Sequence, residues 1–276
     1  MNFDDLILNK QARLELTCYL KRPTHALMLV GNKGVGLGTI AKTLAKTISK
    51  NNVIYICPTI HKSQKTPIIS SEDIDGLTDL VRDKRLDSLT IVMDDADQTN
   101  SGVFEKILKI IEEPNANLNF IFTSHSTAQI PATILSRTQR ITIKTPSTAD
   151  CSVLLKEADP TTRQQINFLA ANLPAEICRL QNDHQKLANI AEVITLAKIF
   201  LSGSLDDRLD IAGQVKTRDN AIALVDSLTK LIYAVISSSK EPAKQASNLH
   251  LLSSAKTNLK HNASPKAQLT NLALNF

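Results

Sequence analysis

Residues 31–39, Gly-Asn-Lys-Gly-Val-Gly-Leu-Gly-Thr, have the spacing of a phosphate-binding loop without its reactive side chains. Such a loop runs Gly, four residues, Gly, Lys and then Ser or Thr. The glycines bring backbone amides to the phosphates, the lysine meets the terminal phosphates, and the hydroxyl holds Mg²⁺. Gly31, Gly34 and Gly36 keep the backbone pattern, but Leu37 stands at the lysine position and Gly38 at the hydroxyl position. Neither can serve a bound nucleotide. The amides of residues 34–38, at the start of a helix, can still hold a phosphate or sulfate weakly. The expectation is therefore a nucleotide fold by descent, with weak or absent nucleotide binding of its own. The alternative is an active ATPase with an atypical lysine, drawn from Lys33 inside the loop or Lys42 in the helix that follows.

A second chemical element is the apolar run Leu89–Met93 ending in Asp94-Asp95-Ala96-Asp97. In nucleotide-hydrolysing folds the first carboxylate at such a strand end holds Mg²⁺ through water, and a following glutamate orients the attacking water. Here Asp95 takes the glutamate's place and is one methylene shorter. A displacement of about an ångström at a reacting group lowers rates by orders of magnitude. The same aspartates also suit the start of the next helix, where carboxylates cap amides and meet the positive end of the helix dipole. Ser124, after Thr123 at the end of another apolar run, stands where a polar residue would read a γ-phosphate, and is equally a polar strand end. Lys42, Lys46 and Lys50 recur every fourth residue and form one basic stripe. That stripe reads either as a solvated helix face or as a contact for nucleic-acid phosphates. His61, His125, His184, His250 and His261 are given no chemistry.

These residues need a scaffold that brings strand ends together. His25–Val30 is an apolar run ending in glycine, which predicts a buried parallel strand, with a helix over 38–50 after the loop. Strands are expected at 53–57, 89–93, 119–124 and 140–144, and helices at 2–22, 72–85 and 102–113. Alternating strands and helices give an α/β domain with a parallel sheet, assigned to residues 1–145. Beyond Pro146 only helical patterns remain, broken near 158–160, 172–174, 202–206 and 237–242. Residues 146–187 form a small helical domain and residues 188–276 a second one.

The 276 residues are 42% hydrophobic and 21% charged, which favours a packed core over global disorder. The net charge of +5 permits contact with nucleic acid without demanding it. Cys18, Cys57, Cys151 and Cys178 are far apart and make no close ligand pair, so no metal site is expected. The first residues are neither basic nor apolar and no run is long enough to span a bilayer, so the expected location is the cytoplasm, with no membrane contact.

The stretch Ile130-Pro131-Ala132-Thr133-Ile134-Leu135-Ser136-Arg137-Thr138-Gln139 is the sharpest signal in the chain. With Glu112-Glu113-Pro114, the strand Phe120-Ile121-Phe122-Thr123 and the run His25–Gly31, its order resembles the clamp-loader branch of the AAA+ proteins. The resemblance implies an AAA+-like domain, a helical lid (146–187) and an all-α collar (188–276) that holds a subunit in a ring. It also implies that Arg137, flanked by Ser136, projects into a neighbouring subunit's ATP site; Thr138 replaces the family's usual cysteine. The vestigial site of the chain itself would comprise Gly31, Gly34, Gly36, Gly38, Asp94, Asp95 and Ser124. ATP and Mg²⁺ would belong to neighbouring subunits and not to this one. The implied partners are the ATP-hydrolysing gamma/tau and the delta subunits, the sliding clamp and, through the complex, primer-template DNA. Residues 259–269 resemble the family's last collar helix. Two features depart from the family: residues 51–88 hold only Cys57 where relatives often carry a four-cysteine zinc module, and 172–176 offer no lid arginine, with Arg179 nearby.

Overall fold

The computed structural model describes residues 3, 6–50, 52–61, 66–77, 88–113, 117–236 and 242–276. Compactness divides the chain into two units, Met1–Arg179 and Leu180–Phe276, with the boundary inside a helix spanning Pro174–Asn182.

The first unit is built on five parallel strands: β1 (Ala26–Gly31), β2 (Val53–Ile56), β3 (Leu89–Met93), β4 (Leu118–Ser124) and β5 (Gln139–Ile143). Their order across the sheet is β2-β3-β4-β1-β5. The long apolar runs follow from burial on both faces. Side chains alternate along each strand, so Met28, Ile91, Met93, Phe120 and Phe122 join one cluster while Leu27, Leu29, Val92 and Ile121 join the other. Helix α3 (Ser101–Glu112) covers the first face through Val103, Phe104 and Ile107. Helices α1 (Lys10–Lys21) and α2 (Leu37–Ser49) cover the second through Leu16, Tyr19, Ile40 and Leu44. The short helix α4 (Ala132–Leu135) precedes β5, and α5 (Thr148–Cys151), α6 (Pro160–Ala170) and α7 (Pro174–Asn182) follow it.

Three local expectations change. The helix predicted over 2–22 begins only at Lys10, because Asn9 caps it, its side chain accepting from the Ala12 amide. Arg13 then reaches back to the carbonyls of Phe3 (2.8 Å) and Leu6 (3.0 Å), which satisfies a non-helical segment that helix hydrogen bonds would otherwise have to serve. The helix predicted over 72–85 opens with a 3₁₀ turn at Glu72–Ile74 and a turn at 75–76, and α-helix is reached only at Leu77; the stretch from residue 78 to residue 85 lies outside the described residues, as does Pro114. The stretch 259–269 contains the end of one helix, a turn and the start of the next.

The second unit is all-helical among its described residues: α8 (His184–Ser202), α9 (Leu205–Gln214), α10 (Arg218–Val235), α11 (Pro242–Lys260) and α12 (Pro265–Asn275). Its core is aliphatic apart from Phe200, which meets Phe276 edge-on at 5.7 Å. Sharp helix starts are written in the sequence: Ser204 and Asp207 form a reciprocal capping box for α9, and Ser264 with Pro265 opens α12.

Candidate functional site

Parallel pairing aligns the C-terminal ends of β1, β3 and β4: Val30 faces Ser124 across the β1–β4 ladder, and Met93 faces Phe122 across β3–β4. The glycine loop, the Asp94–Asp97 turn and residues 123–125 therefore meet along one edge of the sheet, where open α/β folds place their ligands.

The loop has the backbone of a phosphate site. Gly34 and Gly36 adopt φ of +89° and +95°, a region that favours glycine, and Gly36 caps α2. At Gly31 a Cβ would lie 2.6 Å from the Ile143 carbonyl oxygen, so only glycine fits between β1 and β5. The Ala175 amide donates to the Gly34 carbonyl at 3.0 Å and ties the loop to the start of α7.

The side chains face the other way from a nucleotide's needs. Leu37 is 3% exposed and packs into the cluster beneath the loop, so nothing cationic reaches over the loop from the lysine position. At Gly38 a Cβ would stand 2.7 Å from Asp94 Oδ2. The Asp94 carboxylate thus occupies the space that a serine or threonine would fill at that position. Thr123 Oγ1 donates to Asp94 Oδ1 at 2.6 Å and accepts from the Asp95 amide at 2.9 Å. These residues do not fit a Mg²⁺-triphosphate group: the hydroxyl is missing and a carboxylate is seated in its place. Among the described residues, no group of three or more His, Cys, Asp or Glu is arranged to hold a metal ion.

His125, to which the sequence reading gave no role, sits at the centre of this edge. Its Nδ1 lies 2.9 Å from the Gly31 carbonyl oxygen, its Nε2 lies 3.0 Å from Asp95 Oδ1, and its amide donates to Asp97 Oδ1 at 3.1 Å. A carbonyl only accepts, so Nδ1 carries the hydrogen there. The contact between Nε2 and the carboxylate then holds one further proton, on the ring or on the acid. Asp95, which is held at φ 50°, thereby has its Oδ1 against His125. Burial pushes its carboxyl above the usual carboxylate range; His125 and Lys33 oppose this, while Asp94 and Asp97 add to it. Ser124 does not join the group: it is buried, and its Oγ donates to the Ser126 carbonyl at 2.8 Å. Thr123, its neighbour of opposite strand parity, makes the contact with the acidic turn. The only signal for His125 in the sequence is its position one residue beyond that strand end.

The two candidate lysines differ. Lys33 is exposed, and its charge acts on Asp95. Lys42 lies 5.8 Å from the centre of the Tyr55 ring, engaged with the exposed face of β2. Lys42 and Lys46 are exposed on α2, whereas Lys50 lies just past its end at φ 52°.

Beside the loop lies a cavity of ≈ 340 Å³ whose lining includes Val35, Gly36, Thr39, Leu154, Ala175 and Cys178. Among the described residues, no charged side chain lines it.

Arg137 and Ser136 belong to a different surface. Ile130 and Ile134 anchor the turn in the core on the α3 side, and the chain then exposes Ser136 and Arg137 just beyond α4. Ser136 Oγ donates to the Thr133 carbonyl at 3.0 Å. Arg137 Nη1 donates to the same carbonyl at 3.1 Å and to Ser136 Oγ at 3.3 Å, and Nη2 pairs with Glu112 Oε1 at 2.8 Å.

The sheet order and flanking helices are those of an AAA+ fold. A gamma subunit-related DNA polymerase III protein from Thermotoga maritima MSB8 superposes with a TM-score of 0.52 at 15% identity, covering 96% of this chain and 98% of that one. Residues 49–147 match the family model described as DNA polymerase III, delta subunit. The DNA polymerase III subunit gamma of Buchnera aphidicola subsp. Acyrthosiphon pisum is 26% identical over 213 residues, 64% of this chain and 58% of that protein. The subunit tau of Bacillus subtilis is 27% identical over 143 residues, 45% of this chain and 25% of that protein. The chain therefore spans little more than half of the gamma relative and a quarter of the tau relative. These similarities agree with the clamp-loader resemblance carried by residues 25–31 and 112–139.

Proposed function

We propose that the chain is a non-hydrolysing clamp-loader subunit of a DNA polymerase III holoenzyme, resembling delta-prime. The observation that carries this reading is the contrast between Leu37, buried beneath the loop, and Arg137, displayed on a separate surface. The groups that would serve the chain's own nucleotide are lost or engaged with one another, and the group suited to a neighbour's nucleotide is kept. In this reading Arg137, with Ser136 beside it, completes the ATP site of an adjacent gamma/tau-type subunit, where a cation stabilises charge developing on the transferred phosphate. ATP and Mg²⁺ belong to that neighbour. Residues 146–187 serve as lid and residues 188–276 as the collar that holds the subunit in a ring with gamma/tau-type and delta-type subunits. The assembly acts on a sliding clamp and primer-template DNA in the cytoplasm. The loop amides at 34–38 retain weak affinity for a simple anion.

The test is reconstitution with the gamma/tau and delta homologues of the same source, followed by ATP turnover with wild type and Arg137→Ala. Co-assembly and a loss of turnover on substitution are expected; unchanged turnover overturns the reading. A second reading, an active ATPase, is favoured by one observation: Lys33 lies within electrostatic reach of Asp95. ATP turnover by the isolated chain that Lys33→Ala abolishes would establish it instead.

A further inference from the structure

We infer that Glu112 is a positioning residue for Arg137, holding the guanidinium docked on its own chain until the phosphate of a neighbouring subunit displaces it. The inference rests on the proposed role of Arg137 in trans. Both terminal nitrogens of Arg137 are engaged within the chain: Nη2 with Glu112 Oε1 at 2.8 Å, Nη1 with the Thr133 carbonyl at 3.1 Å and Ser136 Oγ at 3.3 Å. These are the donors a guanidinium presents to a carboxylate or phosphate as a planar fork. Reaching a phosphate on another chain therefore requires exchanging the Glu112 contact for the new one.

Both ends of the pair stand on rigid ground. Glu112 is the last residue of α3, whose Val103, Phe104, Ile107 and Ile111 are buried against the sheet. Arg137 follows α4, whose turn is fixed in the same cluster by Ile130 and Ile134. The carboxylate also sits at the negative end of the α3 dipole, which adds attraction for a cation. The two side chains are 40% and 43% exposed, so water screens the pair and exchange remains easy. The arginine is stored in an ordered position, at a strength that a multiply charged phosphate can overcome.

The experiment compares ATP turnover of the assembled complex containing wild type, Glu112→Gln, Glu112→Asp, Arg137→Ala or the Glu112→Gln/Arg137→Ala pair, each checked for folding by thermal melting. An exposed pair of this kind corresponds to about a 1.5- to 5-fold change. Glu112→Gln is expected to raise kcat/KM for ATP by that factor, and Glu112→Asp to return it towards wild type. Arg137→Ala should lower it, and the double variant should match Arg137→Ala alone. A structural defect at Glu112 would lower turnover. Unchanged or reduced turnover in Glu112→Gln, with Arg137→Ala still damaging, overturns the role of Glu112 and leaves the trans role standing. No effect of Arg137→Ala overturns both.

Discussion

The sheet edge at Gly31–Gly38 and the turn at Ile130–Gln139 are both built from short loops leaving buried strands and helices, yet they present opposite faces to the surroundings. At the edge, the acidic turn and its polar neighbours have turned toward one another. Asp94 is seated against Gly38 and bonded to Thr123, Asp95 is held by His125, and His125 is tied to Gly31. At the turn, apolar anchors go down and Arg137 stays at the surface in a screened ion pair. Linked polar contacts around a buried Thr123 resist reopening, because removing one member leaves the half-buried others short of a partner. A screened surface pair exchanges readily. On the proposed reading, the difference is between a site closed to its own ligand and a group available to another's.

The comparison is broken most directly at Arg137. If it acts in trans, Arg137→Ala lowers turnover at the neighbouring ATP site by about 10³-fold or more, the scale of such arginines in other NTPases. Melting of the isolated chain should barely change. A next test tries to reopen the edge. Leu37→Lys places an ammonium where 3% exposure leaves no water, at a cost of at least about 3 kcal/mol unless the loop rearranges. Leu37→Lys/Gly38→Thr should still turn over no ATP: the new side chain displaces the Asp94 carboxylate from its bond to Thr123, and Asp95 stays against His125. Measurable turnover by that double variant would mean the edge is a nucleotide site missing only two side chains. Gly31→Ala is smaller: its Cβ meets the Ile143 carbonyl at 2.6 Å, and the backbone shift should cost about 1–3 kcal/mol in a denaturant titration.

What could be read ahead of the structure divides along the same line. The inner strands β1, β3 and β4 were legible because burial on both faces leaves continuous apolar runs, stopped by Gly31 and the Asp94 turn, while the outer strands β2 and β5 keep exposed residues such as Tyr55 and Arg140. The spacing of the glycines located the loop, and the identities of residues 37 and 38 marked its lost chemistry. His125 was not legible, since its partners Gly31, at the end of β1, and Asp95, in the turn after β3, are brought to it only by the parallel register. The preference for Thr123 over Ser124 depends on which side of β4 each residue faces, which a mixed polar strand end does not disclose. The pairing of Glu112 with Arg137 needed α3 and α4 to share one core. The late start of α1 was set by Arg13 bonding to distant carbonyls, a tertiary effect that helical periodicity does not contain.

The smallest expected effect concerns the cost of closing the edge. Asp95 is pushed above its ordinary range chiefly by burial, with Asp94 and Asp97 adding and His125 and Lys33 opposing. A carboxyl whose pKa is raised on folding binds its proton more tightly in the native state. Its favourable contribution is complete below the unfolded value of about 3.9 and is lost as pH rises through the folded value. At neutral pH the ionised group is therefore a net burden on the folded chain. Asp95→Asn removes the charge and keeps a partner for His125 Nε2, its amide donating to a neutral ring and its oxygen accepting from a protonated one. Its Tm should exceed that of wild type at pH 7, and the difference should shrink as pH falls through the folded value and vanish near about pH 3. A pH-independent difference would mean that Asp95 is no more strained in the folded chain than in the unfolded one. The closed edge would then have been reached without electrostatic cost, and the contrast with the screened pair at Arg137 would rest on geometry alone.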